Sequence, residues 1–131
     1  MHVLDQVDGE AGRRVVEALQ DTSPELVYQG IAWGFGEIYA RSELTLRERE
    51  LVTLGALAAM GGCESQVEVH VHAALNVGLS PEEVTEALLQ IFVHCGMARA
   101  INATLVAKKV FSERGIKLPA PRSTDSTTPR T

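Results

Sequence analysis

The sequence contains few aromatic residues, few cysteines and no long run of basic or apolar residues. Aromatics make up 5% of its 131 residues, so a core must be built mainly from Ala, Val and Leu. Two cysteines, Cys63 and Cys95, are too few for a disulfide framework. Because no stretch reaches the length of a membrane span and the N-terminus lacks the pattern of a secretory signal, we expect a cytoplasmic protein without a membrane partner.

Positive charge is also scarce. The chain has 12 Lys and Arg against 17 Asp and Glu, and this acidic balance without a basic cluster argues against a nucleic-acid partner. No glycine-rich phosphate loop is present. His70 and His72 would lie on different faces of a helix, whereas metal ligands on a helix typically stand four residues apart. We therefore expect neither a cofactor nor a metal ion.

Apolar residues recur at helical spacing and never alternate for long, which predicts an all-α fold of about six helices. Pro, Ser and Thr dominate residues 119–131, a tail without an apolar anchor that we expect to be disordered. Residues 1–118 should form a single helical domain. The predicted helices cover roughly residues 9–20, 24–41, 46–60, 63–76, 81–95 and 98–114.

Two of these helices begin with clear capping signals. Thr45 with Glu48, and Ser80 with Glu83, have the spacing of a capping box. The helix that follows Thr45 is almost entirely apolar after Glu50, so it should be a central, buried helix.

Cys63, Gln66 and His70 are spaced so that they share one face of the fourth predicted helix. Cys63 stands at the helix start, where the helix dipole favours a thiolate. The alternative is that Cys63 is a small buried apolar residue. His70 lies among apolar neighbours, where a histidine can be either a hydrogen-bonded core residue or a catalytic group.

Glu50 helps to decide whether His70 is a core residue or a catalytic group. It is the last charged residue before the apolar run of the third predicted helix, and a carboxylate at that position needs a partner. If the third and fourth helices pack antiparallel, Glu50 lies near the later turns of the fourth helix, the region of His70. A Glu–His pair would be a plausible unit for proton transfer.

Two further residues could bind a substrate. His94 ends the fifth predicted helix, where it is either a C-terminal capping cation or a group lining a pocket. Arg99 could bind a carboxylate through two hydrogen bonds, although most arginines are simply exposed.

Three segments together resemble the carboxymuconolactone decarboxylase family: "LRERELVTLGALAAMGGCE", "HVHAALNVGLSPEEVTEALLQ" and "ARAINATLVAKKVFSE". The resemblance runs from about Leu44 to Glu113. It implies the all-α fold that this family shares with the alkylhydroperoxidase D-like proteins. It also implies that subunit association completes the fold, with homotrimers and homohexamers common in the family.

The resemblance further implies a site at Glu50, Cys63 and His70. In the peroxidase branch a second cysteine stands where this chain has Gln66, and Gln66 cannot resolve a sulfenic acid. The chain is therefore more similar to the decarboxylase branch. That branch commonly shows Tyr-x-Gly-x-Pro near the end of the fifth helix, where this sequence has His94 and Ala98 at the Tyr and Pro positions.

Three functions follow as hypotheses. The first is a cofactor-free decarboxylase for a small carboxylated lactone such as 4-carboxymuconolactone, with His70 as proton donor, Glu50 orienting it, and Gln66, His94 or Arg99 contacting substrate. The second is a thiol-dependent peroxidase or disulfide reductase that uses Cys63, with Cys95 as a possible partner. The third is a homo-oligomer that binds a small acidic ligand without turnover.

Overall fold

The computed structural model describes residues 2–118, and the tail predicted to be disordered, 119–131, lies outside the described residues. Within 2–118 the chain is helical and contains no strand, which confirms the all-α prediction. The α-helices are α1 (His2–Val7), α2 (Gly9–Gln20), α3 (Pro24–Gln29), α4 (Leu46–Met60), α5 (Glu64–Asn76), α6 (Pro81–Gln90), α7 (Phe92–Cys95) and α8 (Met97–Glu113), with a π-helix (Gly30–Ile38) between α3 and α4.

The structure divides two of the six predicted helices and adds α1. The segment predicted as one helix over 24–41 is α3 followed by the π-helix, in which the Tyr39 amide donates to the carbonyl of Gly34, five residues back. The helix predicted over 81–95 turns at Ile91 into the short α7. Neither change is visible in apolar spacing, and α1 is too short to show a helical period.

The core lies between α4, α5, α6 and α8. It contains mainly Leu, Val and Ala, as the scarcity of aromatics predicts, and Phe111 is its one aromatic among the described residues. Both predicted capping boxes form, at Thr45 with Glu48 and at Ser80 with Glu83. The core side chains are Leu54, Ala58, Val67, Val71, Ala74, Leu79, Val84, Leu88, Ala103, Ala107, Val110 and Phe111.

A glycine pair reverses the chain between α4 and α5. Gly61 and Gly62 have φ values of 71° and 72°, in the region where a Cβ would be strained. The reversal lays α5 back along α4, so residues in the early turns of α4 face residues in the later turns of α5. This packing sets the geometry of the site described below.

The N-terminal helices α1 and α2 pack against α5. The Asn76 side chain donates to the carbonyl of Val7 over 2.9 Å and joins the end of α5 to the end of α1. Elsewhere on the surface, α6, α7 and α8 expose several large apolar side chains: Leu89, Phe92, Val93, Met97, Ile101 and Leu105. Association of subunits into a trimer or hexamer stays a prediction.

No helix among residues 2–118 combines the length and the apolar character that crossing a membrane would require.

Candidate active site

A chain of hydrogen bonds links four side chains at the junction of α4, α5 and the π-helix. His70 Nδ1 lies 3.0 Å from Glu50 Oε2, and the Tyr39 hydroxyl donates to Glu50 Oε1 over 2.8 Å. The same hydroxyl lies 2.6 Å from Thr53 Oγ1. Since Tyr39 has one proton and gives it to the carboxylate, Thr53 donates to Tyr39. Both oxygens of Glu50 therefore have a partner.

The local sequence explains how these groups meet. Glu50 and Thr53 are one turn apart on the same face of α4, and His70 is on α5 at a similar distance from the glycine pair that joins the two helices. The structure thus brings Glu50 against His70, as antiparallel packing of the two helices predicts. Tyr39 reaches Glu50 from the position directly after the π-helix, where its amide donates a hydrogen bond to the carbonyl of Gly34.

Glu50 is fully buried, so its charge acts strongly on its neighbours. Burial by itself lowers the pKa of His70, but the hydrogen bond and the charge of Glu50, assisted by Asp8, outweigh burial and leave that pKa above its ordinary value. Burial, followed by the Glu50 charge, raises the pKa of the Tyr39 hydroxyl far above its ordinary value. Tyr39 therefore keeps its proton as a donor to Glu50, and His70 holds its second proton more firmly than a free histidine does.

A largely apolar cavity of about 350 Å³ adjoins His70. Such a volume falls in the range of about 300–1,000 Å³ that is typical of small-molecule sites. His70 and Gln66, one turn apart on α5, form part of its wall. The rest of the wall comes mainly from α1, α2, α3 and the π-helix, including Leu4, Val16, Leu19, Val27, Ile31 and Phe35. With Nδ1 held by Glu50, Nε2 is the ring nitrogen that remains for a ligand.

Asp8, between α1 and α2, is the other ionisable residue in this wall. It is 5% exposed, and its Oδ1 lies 4.0 Å from His70 Nδ1. Among the described residues this oxygen has no hydrogen-bond partner. Burial, partly offset by the charge of His70 and reinforced by that of Glu50, raises the pKa of Asp8 to about 6.

Comparison with known proteins agrees with this architecture. The sequence model of the carboxymuconolactone decarboxylase family matches residues 24–109, which is more than half of the chain. The chain belongs to the carboxymuconolactone decarboxylase family. It is 29% identical over 117 residues to 4-carboxymuconolactone decarboxylase of Acinetobacter baylyi, an alignment that covers 88% of this chain and 87% of the relative.

Two other proteins resemble the chain over most of its length. Nitrosuccinic acid decarboxylase of Metarhizium robertsii is 29% identical over 105 residues, covering 76% of this chain and 71% of the relative. An uncharacterized 15.0 kDa protein of Paracoccus denitrificans is 26% identical over 99 residues, covering 75% of this chain and 74% of the relative. The Metarhizium protein is named for a different decarboxylation from that of the Acinetobacter protein.

The other residues predicted for the site lie away from the apolar cavity. Cys63 and Arg99 line a separate space of about 10 Å³, together with Gly61 and Asn102. His94 is exposed on α7. Of the six residues predicted for the site, the structure thus brings together Glu50, His70 and Gln66. The roles predicted for Cys63, His94 and Arg99 stay predictions without a contact to the cavity wall.

His72 faces a different part of the molecule from His70, as the spacing on the helix predicts. The Arg114 Nε donates to His72 Nδ1 over 3.0 Å, and Glu113 lies 4.0 Å from the other ring nitrogen. Burial, followed by the charge of Arg114, lowers the pKa of His72. This histidine therefore contacts the end of α8 and is a matched comparison for His70.

Within residues 2–118, two sets of side chains are close enough to share a metal ion, each with ligand atoms within 4.8 Å of one another. One is Asp8, Glu50 and His70; the other is Glu68, His72 and Glu113. In the first set the Nδ1 and Oε2 atoms that would face a metal already satisfy each other at 3.0 Å. The absence of a metal cofactor stays a prediction, with a test given below.

Sequence reasoning missed Asp8, Tyr39 and Thr53. Thr53 could have been found from its position one turn after Glu50. Tyr39 carries a weaker signal, as one of few aromatics and at the end of a glycine-rich segment. Asp8 has no signal in the sequence that distinguishes it from the other acidic residues, because only the packing of α1 and α2 on α5 buries it.

Proposed function

We propose that this protein is a cofactor-free decarboxylase that acts on a small carboxylated lactone such as 4-carboxymuconolactone. The observation that carries the proposal is the buried Glu50–His70 pair at the wall of an apolar cavity. The naming of two relatives as decarboxylases supports the reaction type, and the Acinetobacter relative suggests the substrate.

The reaction needs a place for an electron pair and a source for one proton. When the bond between carbon and the carboxylate breaks, CO₂ leaves and the electron pair enters the conjugated enolate of the lactone. His70, as imidazolium, then donates its proton to carbon, and a C–H bond replaces the C–C bond. Glu50 orients the ring and stabilises its cationic form, while Tyr39 and Thr53 hold Glu50 in place.

The apolar wall assists the same step. A compact carboxylate is poorly stabilised in surroundings without water, whereas the developing enolate spreads its charge over several atoms. Leu4, Val16, Val27 and Phe35 present no polar side-chain atom to a ligand. This apolar part of the wall therefore disfavours the charge that is lost more than the charge that forms, whereas Asp8, Ser65, Gln66 and His70 make up the polar part.

The proposal is tested by following CO₂ release from 4-carboxymuconolactone with the purified protein and with His70→Ala. Removal of a general acid costs about 10²- to 10⁴-fold in rate, so the variant should retain little turnover. His72→Ala is the matched control, because His72 is on the same helix but binds α8. Turnover by His70→Ala equal to that of the unaltered protein would refute the role of His70.

A further inference from the structure

Asp8 is not required by the proposed proton transfer, yet it is buried beside the proton donor. Its side chain is 7% exposed, and its Oδ1 has no hydrogen-bond partner among residues 2–118. A buried carboxyl oxygen without a partner is costly to the folded state, so its position needs an explanation. The distance of 4.0 Å to His70 Nδ1 is too long for a hydrogen bond.

Because of the charges around the cavity, the protonation state of Asp8 should decide how well a ligand carboxylate binds. Asp8 and His70 are the two ionisable residues of the wall among the described residues, and no Lys or Arg belongs to it. Glu50 already engages His70, so one positive charge faces one negative charge before any ligand enters. A ligand carboxylate beside an ionised Asp8 would place two like charges in apolar surroundings. Two carboxyl groups in such a site share a proton, because both cannot remain ionised.

We propose that Asp8 binds the carboxylate of the substrate as a neutral acid, donating a hydrogen bond to it, so that substrate binding takes up one proton. This inference rests on the proposed function in one respect, that the ligand is a carboxylate. It assigns Asp8 as a binding residue through the part of its side chain that lines the cavity. A neutral carboxyl at this buried position also costs the folded state less than an ionised one.

The surroundings of Asp8 favour this protonation. Burial raises the pKa of Asp8 to about 6, with Glu50 adding to the effect and His70 opposing it, and a ligand carboxylate would raise it further. Asp8 also borders a polar cavity of about 580 Å³ on its other side. The charges of His70 and Glu50 act on Asp8, and Asp8 in turn acts on Tyr39. The charged and titratable groups that line the polar cavity together with Asp8 are Asp5 of α1, Glu10 and Arg14 of α2, His72 of α5, and Glu113 and Arg114 of α8.

The test uses a ligand that binds without reacting. The saturated lactone 5-oxotetrahydrofuran-2-carboxylate carries the carboxylate but lacks the double bond that would accept the electron pair. Titration calorimetry at pH 7.5 in phosphate and in Tris, buffers with different ionisation enthalpies, gives the number of protons taken up on binding. We expect close to one proton for the unaltered protein and close to none for Asp8→Asn, which keeps a donor but cannot ionise.

The affinity for the same ligand gives a second readout. With a pKa of about 6, binding that requires neutral Asp8 should weaken up to about 50-fold between pH 6 and pH 8. The variant Asp8→Asn should lose most of this pH dependence of the affinity, and the part that remains reflects the titration of His70. Asp5→Asn is the matched control, because Asp5 is an exposed α1 carboxylate paired with Arg13. It should behave as the unaltered protein does.

Proton uptake near zero in the unaltered protein, equal uptake in Asp8→Asn, or failure of the unaltered protein to bind the lactone at pH 6 would each overturn the inference. The calorimetry does not depend on turnover. A protein that takes up a proton with the ligand but releases no CO₂ from 4-carboxymuconolactone would contradict the proposed reaction and support the role of Asp8. Release of CO₂ without proton uptake would do the reverse.

Discussion

Replacing Glu50 with Gln removes one negative charge from beside His70 while keeping the size and hydrogen-bonding capacity of the side chain. The Gln amide can still meet Tyr39 and His70, which lie 2.8 Å and 3.0 Å from the carboxylate oxygens. What is lost is the attraction that keeps the pKa of His70 above its ordinary value. Burial remains and acts in the opposite direction, so the pKa of His70 should fall.

The magnitude follows from the type of contact. A hydrogen bond to a charged group is worth about 1.5–3 kcal/mol, and its loss lowers the pKa of His70. If turnover needs the imidazolium, the alkaline limb of the profile of kcat against pH should move to lower pH. At a pH on that limb the rate should be about 10- to 100-fold lower than in the unaltered protein.

The assay is CO₂ release at saturating 4-carboxymuconolactone from pH 5 to pH 9. Glu48→Gln is the control, because Glu48 is an exposed capping residue of the same helix and Gln also completes a capping box. A Glu50→Gln profile that superimposes on that of the unaltered protein would refute the reasoning, since the charge of Glu50 would then have no influence on the reacting proton.

Three further predictions concern other parts of the molecule. The pKa of Asp8 rises from 3.8 to about 6 on folding, so the folded state should lose about 3 kcal/mol of stability as pH rises through that interval. In urea unfolding, Asp8→Asn should be more stable than the unaltered protein at pH 8 by up to that amount and similar to it below pH 4. Equal stability of the two proteins at both pH values would contradict this prediction. Cys63→Ser should leave CO₂ release within about twofold, because Cys63 lines a different space from His70; peroxide consumption that vanishes in this variant would favour the thiol hypothesis instead. Turnover should survive prolonged EDTA treatment, and a loss of turnover that a divalent cation restores would show that the protein uses a metal ion.

The parts of the site that the sequence predicts are those set by neighbouring helices. Glu50 and His70 meet because a short glycine reversal joins two helices in antiparallel packing, and both the reversal and the helices are visible in residue patterns. Gln66 follows from its position one turn before His70. These contacts depend on helical geometry and on one turn, which are local properties.

The remaining parts depend on packing between distant segments. Asp8 becomes buried only when α1 and α2 dock on α5, and the apolar pattern of α2 does not say which helix it covers. Tyr39 reaches Glu50 because the helix that begins at Pro24 continues as a π-helix, a change of hydrogen bonding that apolar spacing does not reveal. Cys63 shares a helix face with His70 in a regular helix, but as the residue that precedes α5 it borders another space.

Most of the cavity wall comes from the first 35 residues, whereas the Glu50–His70 pair belongs to α4 and α5. In the proposed function, recognition and chemistry are therefore encoded largely in successive stretches of the chain. A recombinant protein that carries α1 to the π-helix of another family member could acquire a new ligand range while keeping the same proton donor. Apart from Asp8, whose charge acts on His70, the cavity residues before residue 24 are apolar or glycine, so a change of ligand introduced there leaves the charges around the pair unaltered.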